Sequence, residues 1–184
     1  MKKSLPMIVG VALLFITACA TSATKDITIK AEAAPKTDLA GYKTYAWLGS
    51  AQLIYDPAGR WEPPNVDMDA EIKFLINREL RKRGMTEVDD SPDMVVAYAA
   101  GVDMTALKLE KDPSTKIEMM KNVPQGSLVV LLVDADTELP IWAGLAEADI
   151  HQDPPLDLVK KRLDFAVSKM FKKYPSQKSS VGSY

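Results

Sequence analysis

The run Ser127-Leu128-Val129-Val130-Leu131-Leu132-Val133 is almost unbroken Leu and Val, and it leads through Asp134-Ala135-Asp136-Thr137-Glu138 into a second apolar segment, Leu139 to Ala148. A run this apolar reads as a central strand covered on at least one face. The short polar stretch between the two segments makes them a hairpin. A sheet therefore lies at the centre of the fold, and the rest of the chain is read against it.

Upstream, Asp93 to Asp103 carries Met94, Val95, Val96, Ala97 and Tyr98 and reads as a third strand. Tyr42 to Leu48 reads as another, with Tyr45 and Trp47 on one face and Thr44 and Ala46 on the other. Asp26 to Glu32 is a candidate first strand. Two helices complete the pattern. From Asp67 to Arg83, Met68, Ile72, Leu75, Ile76 and Leu80 recur at helical spacing; acids come early, bases come late, and Gly84 supplies the stop. The second helix opens at Asp153-Pro154-Pro155, with Asp153 as an acidic cap. It runs one stripe through Val159, Leu163, Ala166, Val167, Met170, Phe171 and Tyr174 before Pro175. Each helix has one dry face. The expected architecture is α+β, an antiparallel sheet of four to five strands with two helices packed on one face. Tyr45, Trp47, Tyr98 and Trp142 are expected in its core.

The N-terminus has a different character. Lys2 and Lys3 precede an apolar run from Leu5 to Ile16, and Ile16-Thr17-Ala18-Cys19 resembles a bacterial lipobox. That resemblance implies removal of residues 1–18 and acylation of Cys19, the single cysteine of the chain. The apolar run is shorter than the roughly 20 residues of a membrane-spanning helix. An ordinary secretory leader cleaved after Ala18 or Ala20 is the rival reading; a cysteine at the junction and nowhere else favours lipidation. No disulfide can form within a chain that has one cysteine. Ala20 matches the permissive position of the sorting pattern, which implies an outer-membrane anchor facing the periplasm. Residues 19–36 then form the lipidated terminus and tether, 37–175 a single domain, and 176–184 a frayed tail rich in Ser and Gly.

Composition bounds the function. The chain has 184 residues, 47% of them hydrophobic, and a formal charge of −2, which becomes −4 once Lys2 and Lys3 leave with the leader. Mild acidity argues against nucleic acid, which calls for a clustered basic face.

Several strings together resemble the domain of unknown function 4136 of bacterial lipoproteins. They are Tyr42-Lys43-Thr44-Tyr45-Ala46-Trp47, Leu80-Arg81-Lys82-Arg83-Gly84, Ser91-Pro92-Asp93-Met94-Val95-Val96-Ala97-Tyr98, Leu131-Leu132-Val133-Asp134-Ala135-Asp136-Thr137, Ile141-Trp142-Ala143-Gly144 and Phe171-Lys172-Lys173-Tyr174-Pro175. Their order spans nearly the whole mature chain. The resemblance implies an α+β envelope lipoprotein and brings no catalytic residues with it. It is weakest over Thr105 to Gly126.

Enzyme chemistry has little to stand on. His151 is the single histidine, beside a cap and two prolines, and reads as a solvated loop residue. The alternating acids of Asp134 to Glu138 start as a calcium loop does, but Leu139 and Pro140 stand where its glycine and further ligands belong, so a turn is the better reading. Neither a G-x-S-x-G elbow nor a phosphate-cradling glycine loop occurs. The acid pairs Asp89/Asp90 and Asp149/Asp153 read as ordinary surface carboxylates. No catalytic residue, metal or cofactor is expected.

Two non-enzymatic readings remain open. One is a structural or protein-interaction module that binds another envelope protein through a sheet face or edge. Tyr55 and Trp61, in the proline-stiffened loop from Gly49 to Val66, would serve as anchors, unless Trp61 folds back over the first helix. The other is a carrier of a lipid or other small hydrophobic ligand. Its adaptable side chains would be Met119 and Met120, between Lys116 and Lys121, unless that segment is a solvated loop or ribbon.

Overall fold

The computed structural model describes residues 23–35, 37–48, 54–55, 67–103, 107–111, 118–122, 124–151 and 153–175. Its elements are β1 (Thr28–Ala33), β2 (Thr44–Trp47), β3 (Ile54–Tyr55), α1 (Met68–Arg81), β4 (Thr86–Glu87), β5 (Met94–Asp103), β6 (Leu107–Lys111), β7 (Glu118–Asn122), β8 (Gln125–Asp134), β9 (Pro140–Asp149) and α2 (Leu156–Lys172). Six strands form one open path, β1-β9-β8-β5-β2-β4, and β3 joins it on β5. Cys19, Trp61 and the tail at 176–184 lie outside the described residues.

The expected hairpin is the backbone of the sheet. β8 and β9 pair antiparallel from Gln125↔Asp149 to Leu132↔Trp142, with a register shift at Leu132/Val133 beside the turn. β5 pairs antiparallel along the whole of β8, and β1 pairs antiparallel with β9 from Thr28↔Glu147 to Ala33↔Trp142. The other side of β5 departs from the antiparallel expectation. There β2 and β3 both run parallel to β5, Tyr45 opposite Met94 and Ile54 opposite Ala100, and β4 runs parallel to β2. The sheet is mixed, and it has more strands than expected. The cause is α1: a chain that leaves a strand, crosses a face as a helix and returns beside that strand enters it in the same direction. Hydrophobic alternation shows that a strand has a dry face, but not the direction of its neighbour.

β6 and β7, which lie between β5 and β8 in the chain, pair as a separate two-stranded ribbon, Leu107↔Asn122 to Lys111↔Glu118. Between the helices there are thus six strands where three were expected. Within the segment Lys108 to Lys121, read as a solvated loop or ribbon, residues 108–111 and 118–121 pair as a ribbon.

Both helices cover one face. β5 buries Met94, Val96 and Tyr98, and β8 buries Leu128, Val130 and Leu132; their odd-numbered neighbours do not enter the core. Against these lie Ile72, Leu75, Ile76 and Leu80 of α1 and Ala166, Val167, Met170 and Phe171 of α2. Trp142 is 1% exposed and packs on Phe171 and Tyr174, with ring centroids 5.0 and 5.9 Å away. Gly144 is required by this packing. A Cβ there would sit 2.6 Å from the Trp142 ring and 2.9 Å from Met170 Sδ, closer than non-bonded atoms tolerate. The core aromatics are where the sequence placed them: Tyr45, Tyr98 and Trp142 are buried, and Trp47 packs partly buried against them.

The helix ends are instructive. Asp67 caps α1, its Oδ1 accepting from Ala70 N at 3.0 Å, and Gly84 follows the helix with φ +77°. Asp153 does not cap α2. The N-cap is Pro155, which lacks a side-chain cap bond, while Asp153 sits exposed at φ 44°. Two successive prolines hold the chain extended up to Pro155, so the helix begins three residues beyond Asp153, out of its reach.

Candidate functional site

The second face of the sheet is formed by the alternate residues of the same strands. The register sets Val95 beside Val133, Ala97 beside Leu131, Ala99 beside Val129, and then Leu145 beside Val129 and Ala143 beside Leu131. All are partly accessible, and none belongs to the helix-covered core cluster. The result is a continuous apolar patch across the three central strands. At its border Lys30 on β1 pairs with Glu147 on β9 at 3.5 Å. Contiguous accessible apolar surface of this kind marks interaction sites in soluble domains.

The polar clusters of the molecule have structural tasks. Glu79, 5% exposed, accepts from Arg78, Lys82 and Arg83, at 3.1 Å from Arg78 Nη2 and 2.8 Å from Lys82 Nζ. Burial opposes the charge on Glu79, but these donors outweigh it and hold the carboxyl below its ordinary range. The same arginines reach α2. Arg78 donates to Ser168 Oγ at 2.8 Å and lies 2.5 Å from Asp164 Oδ1 as an ion pair, and Arg83 donates to the carbonyl oxygen of Phe171. This cluster locks α1 to α2.

A second clamp ties the start of the domain down. Arg162 donates to the Ala23 carbonyl at 2.5 Å and to both Asp26 carboxylate oxygens at 2.8 and 2.5 Å. Burial raises the Asp26 pKa, yet the Arg162 contacts leave it lowered overall. A third pins β2 to β5: Asp93 Oδ2 accepts from the amides of Lys43 and Thr44, each at 2.7 Å, which lowers its pKa.

The Asp134–Glu138 segment is the expected turn. Asp134 Oδ1 accepts from the amides of Asp136 and Thr137 and from the Thr137 hydroxyl, while Tyr42 donates to Oδ2 at 2.5 Å. Tyr42 and the Thr137 donors hold Asp134 at about 2. Desolvation, followed by the Asp134 charge, pushes Tyr42 up to about 12. Among the described residues no three His, Cys, Asp or Glu side chains come together as a metal site. His151, Asp89 and Asp90 are exposed.

The residues singled out from the sequence do not converge. Tyr55 ends β3 opposite Gly101, and Met119 and Met120 stand in β7 opposite Glu110 and Leu109. Sequence reasoning offered a sheet face as a binding surface but did not name the residues that form it. Their signal was present: Val129, Leu131 and Val133 interleave with Leu128, Val130 and Leu132, so the strand is apolar on both sides.

The sequence model of a family described as a domain of unknown function, DUF4136, matches residues 29–176. The fold resembles a crystal structure of a DUF4136 family protein from Bacteroides thetaiotaomicron. That likeness has a TM-score of 0.54 at 10% identity and covers 82% of this chain and 97% of that one. It also resembles part of a PDZ domain protein from Parabacteroides distasonis, with a TM-score of 0.50 at 14% identity. There 83% of this chain is covered, and it spans 37% of the other's length. Among curated proteins, none matches the chain. No helix of the described residues is long and apolar enough to cross a membrane.

Proposed function

The chain belongs to the DUF4136 family, and from that premise we propose that it is an envelope lipoprotein, anchored through acylated Cys19 in the outer membrane and facing the periplasm. Its domain is a non-catalytic module that binds another envelope protein. The observation that carries the reading is the open sheet face of Val95, Ala97, Val129, Leu131, Ala143 and Leu145, apolar and partly accessible opposite the layer of helices. A rigid pleated surface with its backbone groups already paired needs little ordering to bind. The titratable clusters support the non-catalytic reading, since Glu79, Asp26 and Asp93 are each engaged in holding elements together.

A photo-crosslinking side chain at Leu131 is the direct test. It is expected to capture one reproducible envelope protein, with capture lost in Val129→Lys and unchanged in Phe74→Lys on the far side of α1. Capture that survives Val129→Lys would remove the sheet face from the reading. Cys19→Ser is expected to release the protein from membranes, and retention would move the anchor elsewhere. The carrier reading would be favoured instead if phospholipid or fatty acid copurified in stoichiometric amount. The tight approach of Trp142 and Met170 to Gly144 speaks against a ligand between sheet and α2.

A further inference from the structure

We infer that the side of the domain formed by α2 and the Ala23–Asp26 turn docks on anionic phospholipid headgroups, so that the domain lies flat on the bilayer that anchors it. The inference rests on the N-terminal anchor proposed above. The described fold begins at Ala23, four residues after Cys19, and four residues reach at most about 14 Å. The turn is not a free tether, since Arg162 of α2 holds both the Ala23 carbonyl and Asp26. A membrane attached at Cys19 is therefore held beside the surface that surrounds this turn.

That surface has the right charge. An open groove of about 850 Å³ is lined by the turn, by α2 and by the C-terminal half of α1, and Lys25, Lys82, Lys161, Lys169 and Lys172 stand around it. Its two acids, Glu79 and Asp164, are already engaged by Arg78, Lys82 and Arg83. Lys25, Lys161, Lys169 and Lys172 have no ion-pair partner among the described residues, and all four are exposed. Lys169 Nζ also lies 5.3 Å over the Phe165 ring, which leaves an aromatic side chain at the level of the ammonium groups. Unpaired lysines close to an anionic leaflet each strengthen its binding about fivefold.

The rest of the molecule favours one orientation. The chain as a whole is mildly acidic, so attraction to an anionic leaflet comes from this basic side and not from the net charge. With the helices toward the bilayer, the open sheet face points away from it, where a protein partner can reach it.

The full chain reconstituted on vesicles and treated with an amine-acetylating reagent tests this, with each lysine followed by mass spectrometry. On phosphatidylethanolamine vesicles containing phosphatidylglycerol, Lys161, Lys169 and Lys172 are expected to react at least about fivefold more slowly than on phosphatidylcholine vesicles. Lys30 and Lys43 are expected to react equally on both. In Lys161→Glu/Lys169→Glu, Lys172 and Lys25 should regain the phosphatidylcholine rate, whereas Lys30→Glu/Lys43→Glu should leave the protection intact. Equal rates on the two vesicle types, or protection that persists in the first variant, overturns the proposal. Acylation of Cys19 is read separately by intact mass. Attachment is read by vesicle flotation, so an unacylated, unattached chain marks failure of the anchor, whereas an acylated, attached chain with equal lysine rates marks failure of the docking.

Discussion

The two faces of the central sheet are built from adjacent residues of the same three strands, and they have opposite fates. On the helix side stand Met94, Val96, Tyr98, Leu132 and Trp142, nearly all fully buried. On the other side stand Val95, Ala97, Ala99, Val129, Leu131 and Ala143, partly accessible and mostly smaller. Both faces are apolar, so hydrophobicity alone does not separate them. The difference is that large side chains on one face interdigitate with the ridges of two helices, whereas small and β-branched ones make a smooth surface that no described element covers. Close packing gives the first face its stability, and the second is left uncovered by the described elements, as the proposed partner binding requires.

The sharpest way to break this comparison is a pair of adjacent substitutions. Leu132→Ala is expected to destabilise the fold by about 2–5 kcal/mol, because it leaves a cavity in a closed core. Leu131→Ala, one residue away on the other face, is expected to lose less than about 1 kcal/mol. Urea unfolding of both variants decides the matter; equal losses would mean that the second face is covered. Next in size is Gly144→Ala, which forces a methyl group against Trp142 and Met170 and is expected to cost about 1–3 kcal/mol. If thermal unfolding shows no loss there, the sheet and α2 are less closely packed than described. Trp142→Phe should do less harm than its volume suggests. The buried Nε1–H has no acceptor among the described residues, so the lost packing is partly offset by removal of an unsatisfied donor worth about 1–3 kcal/mol.

The smallest effects are electrostatic and set the pH range. Asp134, held at about 2 by Tyr42 and the Thr137 donors, binds protons less tightly folded than unfolded. Its contribution is present above the ordinary carboxylate range and fades as pH falls through about 2, and Asp93 and Glu79 act in the same direction. Tyr42, raised to about 12 by desolvation and Asp134, holds its proton more tightly when folded. Its contribution is complete below its ordinary value of 10.0 and fades as pH rises toward 12. Stability followed against pH in wild type and Asp134→Asn tests both limbs. The variant should flatten the acid limb and leave neutral pH nearly unchanged, and an unaltered acid limb would remove Asp134 from the account.

Much of this was legible in the chain. The Leu128–Val133 run announced the central hairpin, the apolar stripes announced both helices, and Gly84 and Pro175 marked their ends, because each signal is local and one residue type satisfies it. Asp153 misled for the same reason: an acid before a proline looks like a cap until the second proline moves the helix start out of its reach. The parallel pairing of β2 with β5 left no local mark, since it depends on where α1 carries the chain.

By itself the sequence determined both helices and the strands β1, β2, β5, β8 and β9, which residues seek a dry environment, and a cysteine motif that resembles a site of acylation. The tertiary structure alone decided that the two helices cover only one of the two apolar sheet faces, that Arg162 fastens the start of the domain onto α2, and that lysines distant in sequence gather around that point. Periodicity is written along a single segment, whereas coverage and charge clustering arise between segments and exist only once the chain has closed on itself.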